Sequence, residues 1–249
     1  MTKTVTIHTQ GMTQSQVVAV ARGDYRIEIG QDAIDAMAAT RRHIEQLANG
    51  DVPVYGISTG FGALANRHIE PKDRVQLQKS LIRSHAAGMG PAVEREVVRA
   101  LMLMRLKTLC SGRTGVRPVV ATTMAAILNA GITPVVHEYG SLGCSGDLAP
   151  LAHCALALMG EGEVRDADGT LMPAADALAA AGLTPVELKA KEGLALINGT
   201  QASTALALHA LIRFEGLFAT ALASGAMTLD AARGSDGPFD ARIHAVRGQ

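Results

Sequence analysis

Residues 200–223 read TQASTALALHALIRFEGLFATALA, and this stretch decides the fold class. It contains no proline and only two formal charges, Arg213 and Glu215. Apolar side chains fall nearly all the way round a 3.6-residue helix, as they do on a helix inside a bundle. Such a helix needs neighbours on every face, so the chain reads as mainly α and this segment as the opening of a C-terminal helical bundle. Composition agrees: there are 42 alanines, with Trp 0, Tyr 3 and Phe 4. Alanine has the best helix propensity and little bulk, which favours closely packed helices and argues against a β-sandwich.

Toward the C-terminus, Gly234-Ser235-Asp236-Gly237-Pro238 reads as a loop, and the chain stops at Gln249 without a capping element. The bundle therefore reads as truncated. Toward the N-terminus, helical periodicity predicts helices over 31–48, 72–86, 91–110 (Pro91 in the first turn), 118–130, 148–159, 173–181 and 185–191. Alternation at Val5–Ile7 and Tyr25–Ile29 predicts short strands with a helix between them, Pro134-Val135-Val136 is a short extended piece, and Asp166-Ala167-Asp168-Gly169 is a hairpin turn. The expected division is an N-terminal domain over 1–197 and the start of the bundle over 198–249.

Lys+Arg 23 balance Asp+Glu 23, so neither nucleic acid nor an anionic membrane is an expected partner. Hydrophobic residues make up 48%, enough for a sizeable core. No leader pattern opens the chain, and no apolar stretch reads as long enough to span a bilayer. Cys110, Cys144 and Cys154 are odd in number and lack metal-finger spacing, so reduced thiols and a cytoplasmic location are expected. Asn198-Gly199-Thr200 matches a glycosylation sequon and, in that compartment, reads as chance.

Two glycine motifs compete for attention. Gly56-Ile57-Ser58-Thr59-Gly60 fits a serine-hydrolase elbow, but the strand before it is short and Gly62 stands where the elbow's helix should begin. A hydrolase using Ser58 is therefore a remote alternative. Gly60-Phe61-Gly62-Ala63-Leu64-Ala65 mimics a dinucleotide fingerprint without the βαβ surroundings it needs. The eight histidines show no zinc-site spacing, so no metal is expected.

The stretch 140–147 permits rarer chemistry. In Cys144-Ser145-Gly146, the glycine nitrogen lacks a crowding Cβ and can be bent toward the carbonyl carbon of Cys144. Ring closure with loss of water, then dehydration of the Ser145 hydroxymethyl group, leaves a 4-methylideneimidazol-5-one (MIO). No ordinary side chain supplies such an electrophile. Asp147 stands where the N-cap of the Leu148 helix should be, which would put the ring at a helix N-terminus.

Gly140-Ser141-Leu142-Gly143-Cys144-Ser145-Gly146-Asp147-Leu148-Ala149-Pro150-Leu151 resembles the MIO motif of the aromatic amino acid ammonia-lyases. Three further blocks extend the resemblance over most of the chain: Tyr55–Gly62, Ser84-His85-Ala86-Ala87-Gly88, and Glu192–Gln201. The family tripeptide commonly begins with Ala; Cys144 departs from it harmlessly, because ring closure uses the backbone carbonyl. The resemblance implies the ammonia-lyase fold and an N-terminal half of a longer chain. It also implies an MIO formed autocatalytically from Cys144-Ser145-Gly146, with no metal or external cofactor. Elimination of ammonia from an aromatic amino acid would follow, with Tyr55 removing the β-proton and Asn198 orienting substrate or prosthetic group. A phenol is a weak base near neutral pH, so its surroundings would have to activate Tyr55. Asn198 is equally compatible with a helix-capping role for 200–223.

Ser84-His85 occupies the family's selectivity pair and is the histidine-type pairing, which implies L-histidine as substrate and urocanate and ammonia as products. A tyrosine- or phenylalanine-type lyase or aminomutase is the alternative within the family, and a catalytically silent assembly module the alternative outside it. The resemblance further implies a homotetramer in which Tyr55 serves a neighbour's prosthetic group. A carboxylate-binding arginine, a second tyrosine and a glutamate would lie beyond residue 249, so the 249-residue chain is expected to be inactive alone.

Overall fold

The computed structural model describes residues 3–23, 25–143 and 145–248. Alternation puts Val5 and Ile7 inward on β1 (Thr4–Ile7). Helix α1 (Gln14–Ala21) then carries the chain to β2 (Arg26–Ile29), which pairs in parallel with β1. A capping box starts α1: Thr13 Oγ1 accepts the Gln16 amide and Gln16 Oε1 accepts the Thr13 amide. α2 (Gln31–Asn49) buries Ala33, Met37 and Ile44 on one stripe. After a turn-rich segment come α3 (Arg74–His85), β3 (Met89–Ala92), α4 (Arg95–Cys110) and α5 (Pro118–Asn129).

β4 (Thr133–Pro134) and β5 (His137–Tyr139) lead to α6 (Leu148–Leu158), the hairpin strands β6 (Glu163–Arg165) and β7 (Leu171–Pro173), and α7 (Ala174–Ala180). β3 pairs antiparallel with β5, and β6 lies between β4 and β7. α8 (Glu192–Ile197), α9 (Gln201–Ala231) and α10 (Ala241–Arg247) complete the chain. The mainly α class is thus observed, with α4 as the spine of the core. It buries eleven of its sixteen residues and packs against α1, α2 and α5. Ala149, Ala152 and Ala155 are buried on α6, the small side chains that let helix backbones approach closely.

Pro91 lies in β3 rather than in a helix, and α4 begins at Arg95. Met89 pairs with Tyr139 and Ala92 with His137, with an irregular register between them. Proline has no amide to donate, so it suits such an edge position. Residues 185–191 do not form the expected helix either. Their backbone groups are taken elsewhere: the Val186 amide donates to Leu158 O (2.9 Å), Arg117 Nη2 to Glu187 O (2.6 Å), and the Lys189 amide to Glu192 Oε2 (2.8 Å).

Buried arginines hold helix ends together. Arg99 donates to Val20 O (3.0 Å) and Leu128 O (3.0 Å), carbonyls at the C-terminal ends of α1 and α5. Arg41 donates to Gly115 O (3.3 Å) and Ala190 O (3.0 Å). At Arg99 the cation meets the negative ends of two helix dipoles and satisfies carbonyls without an intrahelical partner, whereas the Arg41 partners are loop carbonyls just ahead of α5 and α8.

Glu192, fully buried, accepts from Arg117 Nε (2.8 Å), Nη2 (2.8 Å) and the Arg117 amide (3.0 Å), with Arg41 Nη1 at 3.8 Å. Replacing Glu192 with Gln is expected to destabilise the fold by about 3 kcal/mol or more, because buried guanidinium charge loses its counter-ion. At this chain length that lowers Tm by roughly 6 °C or more, and a melt within 2 °C of the parent would refute it.

Two compact units divide the chain, Met1–Leu206 and Ala207–Gln249. The first takes in the opening of α9, where Ala202 and Ala205 are buried. The second contains the rest of α9, a 3₁₀ turn at Gly237–Phe239 where a loop was expected, and α10. Leu211, Phe214, Leu217, Phe218, Leu222 and Met227 are exposed on it, with Phe214 and Phe218 stacked at 6.1 Å. The run Glu192–Ala231 corrects the expectation about bilayer-length segments. Its most apolar window has a mean hydropathy of 1.4 and is 11% buried, so by length and composition alone it could cross a membrane. An unpartnered bundle helix has the same length and composition.

Candidate active site

The loop between β5 and α6 turns back on itself. Leu142 bridges to both Gly146 and Asp147, and Gly143 (φ +77°) and Gly146 (φ +80°) adopt left-handed conformations that other residues resist. Ser145 is half-buried, and its Oγ accepts the Asp147 amide at 3.2 Å. Cys144 lies outside the described residues.

Asp147 occupies the N-cap position of α6 but makes no side-chain hydrogen bond to that helix. Its buried carboxylate instead accepts the Ser203 amide (3.0 Å) and Ser203 hydroxyl (2.6 Å). Ser203 is in the first turn of α9, where amides lack intrahelical partners and the dipole favours an anion. The residue thus clamps the 140–147 loop to α9.

Ser84 and His85 end α3. His85 Nδ1 lies 2.8 Å from Leu81 O and 3.0 Å from Ser84 Oγ, so Nδ1 carries the proton and Nε2 is left as an acceptor. Three residues on, the Gly88 amide donates to His153 Nε2 at 3.1 Å. Burial, and secondarily the nearby His137, hold the His153 pKa below the usual imidazole value, in keeping with the neutral ring that this bond requires. A methyl group on Gly140 would lie 3.2 Å from both Gly88 Cα and Ala149 Cβ. The segment after His85 therefore abuts the entry of the 140–147 loop.

Tyr55 is 49% exposed in a turn, its ring edge-on to Phe61 at 6.0 Å. Gly56 (φ +68°) brings this loop against α8, where a methyl group would stand 2.6 Å from Leu194 Cδ2. Ser58 is fully buried, with its Oγ accepting the Val54 amide at 2.9 Å. The element before it is α2, and among the described residues no strand lies between that helix and Ser58, so the elbow a hydrolase needs is absent there.

Asn198 follows α8 and is exposed; its amide donates to Leu194 O (3.1 Å) and its carbonyl accepts from Arg105 Nη1 (2.9 Å). It lies before α9 without capping it, and Asp147 does that from across the fold.

Three of the four sequence blocks thus meet around the 140–147 loop: Ser84–Gly88 directly, and Glu192–Gln201 through Ser203. The Tyr55 block joins them through Leu194. Sequence reasoning missed Ser203, His153 and Arg105, all of which act on backbone or loop atoms far away in the chain. A cleft of about 460 Å³ lined by Ile27, Ile29, Ile34 and Ala125 contains none of these residues.

Residues 12–249 match the family described as aromatic amino acid lyase. Histidine ammonia-lyase from Streptomyces avermitilis is 60% identical over 244 residues, which is 98% of this chain and 48% of that protein. Among solved structures, histidine ammonia-lyase from Trypanosoma cruzi superposes with a TM-score of 0.89 at 34% identity, covering 98% of this chain and 48% of the other. Phenylalanine aminomutase from Pantoea agglomerans gives 0.90 at 29%, covering 98% and 47%. The chain spans about half the length of these relatives. With the glycine-bent Ser145-Gly146 loop, its Asp147 clamp and a match over nearly the whole sequence, the chain belongs to the aromatic amino acid lyase family.

Proposed function

We propose that this chain is the N-terminal half of a histidine ammonia-lyase that converts L-histidine to urocanate and ammonia. The observation that carries the reading is the Ser145-Gly146 loop, bent by left-handed glycines and clamped by Asp147, with the segment that follows the Ser84-His85 pair against the loop's entry. The residues fit an MIO formed from Cys144-Ser145-Gly146: the left-handed Gly146 and the Leu142 bridges favour the tight backbone that ring closure demands. That group supplies an electrophile which makes ammonia a competent leaving group.

The chain's own residues do the rest. His85 Nε2, kept as an acceptor by the Nδ1 contact, receives the imidazole N–H of the substrate. Asn198 presents its amide to orient the substrate. Tyr55 Oη takes the β-proton, the C–H electron pair becomes the α,β double bond, and the C–N bond breaks as ammonia leaves. In the assembled enzyme, a homotetramer, Tyr55 serves a neighbouring subunit, and the exposed apolar side chains of α9 are the surface that packing would bury. The cytoplasm is the proposed compartment, in keeping with the free, buried thiols of Cys110 and Cys154.

The test uses a polypeptide of the relatives' length containing this sequence. Urocanate formation from L-histidine is followed by ultraviolet absorbance, and peptide mass across residues 138–165 is expected to be two waters light. Deamination of tyrosine or phenylalanine in preference to histidine would reassign the substrate. An unmodified tripeptide with no deamination would leave an assembly module.

Replacing His85 with Leu in that polypeptide is expected to lower kcat/KM for histidine about ten- to a hundredfold, the loss of roughly 1–3 kcal/mol from one buried hydrogen bond. Leucine is a good helix former, so Tm should hold. Unchanged kinetics would remove His85 from the pocket.

A further inference from the structure

We propose that Arg105 is a positioning residue of the lyase: from the core side, its guanidinium fixes the backbone of Asn198 and so aims the Asn198 amide at the substrate. This rests on the function proposed above.

Arg105 sits in the most buried part of α4, between the fully buried Leu103 and Leu106, and is 2% exposed. Nη1 donates to Asn198 O (2.9 Å) and to Gln201 Oε1 (3.0 Å), and Nη2 donates to Ala195 O. One turn further along α4, Thr108 Oγ1 accepts from Gln201 Nε2 (3.1 Å). A single face of α4 therefore grips the junction of α8 and α9 on either side of Asn198.

The grip is an unusual use of a charge. Among the described residues no carboxylate pairs with this guanidinium, and burial pulls its pKa down to about 10, still cationic at neutral pH. Its Nε–H has no partner among the described residues. A core arranged for stability alone would fill this place with an apolar side chain. What the guanidinium does satisfy is the carbonyl end of α8, with a planar fork that a lysine cannot reproduce.

Gly199 supports the same conclusion. Its φ is not in the left-handed range, so no turn demands glycine there. A methyl group at Gly199 would instead stand 2.6 Å from Arg105 Nη1 and crowd Gln201 Oε1 as well. The missing side chain makes room for the guanidinium. Asn198 is consequently held at both backbone groups, by Leu194 O and by Arg105, while its exposed side-chain amide makes no hydrogen bond among the described residues. A fixed backbone carrying an unengaged polar head is the arrangement of a preorganised ligand-binding group.

The experiment is a double-mutant cycle in the full-length lyase, with Arg105→Lys, Asn198→Ala and the pair, read as kcat and KM for histidine. Peptide mass across 138–165 and Tm are measured alongside. Arg105→Lys should lower kcat about ten- to a hundredfold with the tripeptide still two waters light. The pair should be no slower than Asn198→Ala alone, because Arg105 acts only through that residue. Additive losses, or a lower Tm with unchanged kcat, would make Arg105 a scaffold residue and overturn the proposal. Should Arg105→Lys not fold, Gly199→Ala in the same cycle gives the same answer through the crowding of Nη1. Amide hydrogen exchange over 195–201 supplies a readout independent of turnover: exchange should quicken at least tenfold in the Arg105 or Gly199 variant, and an unchanged rate counts against the proposal. A parent enzyme that ignores histidine fails the functional reading instead, a result the exchange measurement does not share.

Discussion

In the proposed full-length lyase, replacing Ser145 with Ala is expected to abolish histidine turnover, with kcat falling by about a thousandfold or more. Alanine has no hydroxyl to lose, so the side chain that would become the electrophile's methylidene carbon stays a methyl group. The fold should barely notice. Ser145 is half-buried and its Oγ accepts one long hydrogen bond from the Asp147 amide, at 3.2 Å, a contribution of about 1 kcal/mol or less. The Asp147–Ser203 clamp does not involve the Ser145 hydroxyl and survives. Near-parental Tm with lost activity would separate chemistry from folding. Cys144→Ala, by contrast, should leave turnover largely intact, because the backbone carbonyl remains. A Ser145→Ala enzyme working at a near-normal rate would end the MIO reading.

The 249-residue chain on its own is expected to give no urocanate at an enzymatic rate. Elimination requires the carboxylate, amine and β-carbon of one substrate molecule to be oriented together, and orientation supplies several kcal/mol of the barrier reduction. Of the contacts proposed for the whole lyase, this half would offer Tyr55, His85, Asn198 and the tripeptide, while the carboxylate-binding arginine that the resemblance implies is expected outside it. Exposed Leu211, Phe214, Leu217, Phe218, Leu222 and Met227 also leave a broad apolar surface uncovered. The measurement is absorbance of urocanate with isolated chain, free of longer protein. Turnover comparable to a full-length histidase would show that the other half is dispensable and that the account of the site is mistaken.

Much of the fold was legible because local signals agreed with one another. The helices at 31–49, 118–129 and 148–158 fall within a residue or two of their expected spans, each marked by periodic apolar residues and bounded by Gly or Pro. The hairpin around Asp166–Gly169 follows from its turn residues. Pro91 misled because proline suits both the first turn of a helix and an edge strand, and only the pairing of β3 with β5 decides. Residues 185–191 misled because their amides and carbonyls are claimed by Leu158, Arg117 and Glu192, partners that no local window contains. At the site, the tripeptide and the Ser84-His85 pair are contiguous motifs and were readable. The Asp147 clamp was not, since its partner lies 56 residues away. Arg105 stands with Lys107 in an otherwise apolar run, and nothing local separates a buried charge from a solvated one until its carbonyl partners are seen.

That separation between Asp147 and Ser203 sets a clock on biosynthesis. A ribosome adds about 5–20 residues per second, so roughly 3–11 s pass after Asp147 is made before Ser203 exists to receive it. Throughout that interval the nascent 140–147 segment has no α9 to dock on and must leave the exit tunnel unclamped. Chaperones and proteases meet it in that form. Slow codons between these two positions would lengthen the exposure without altering a single contact in the finished protein.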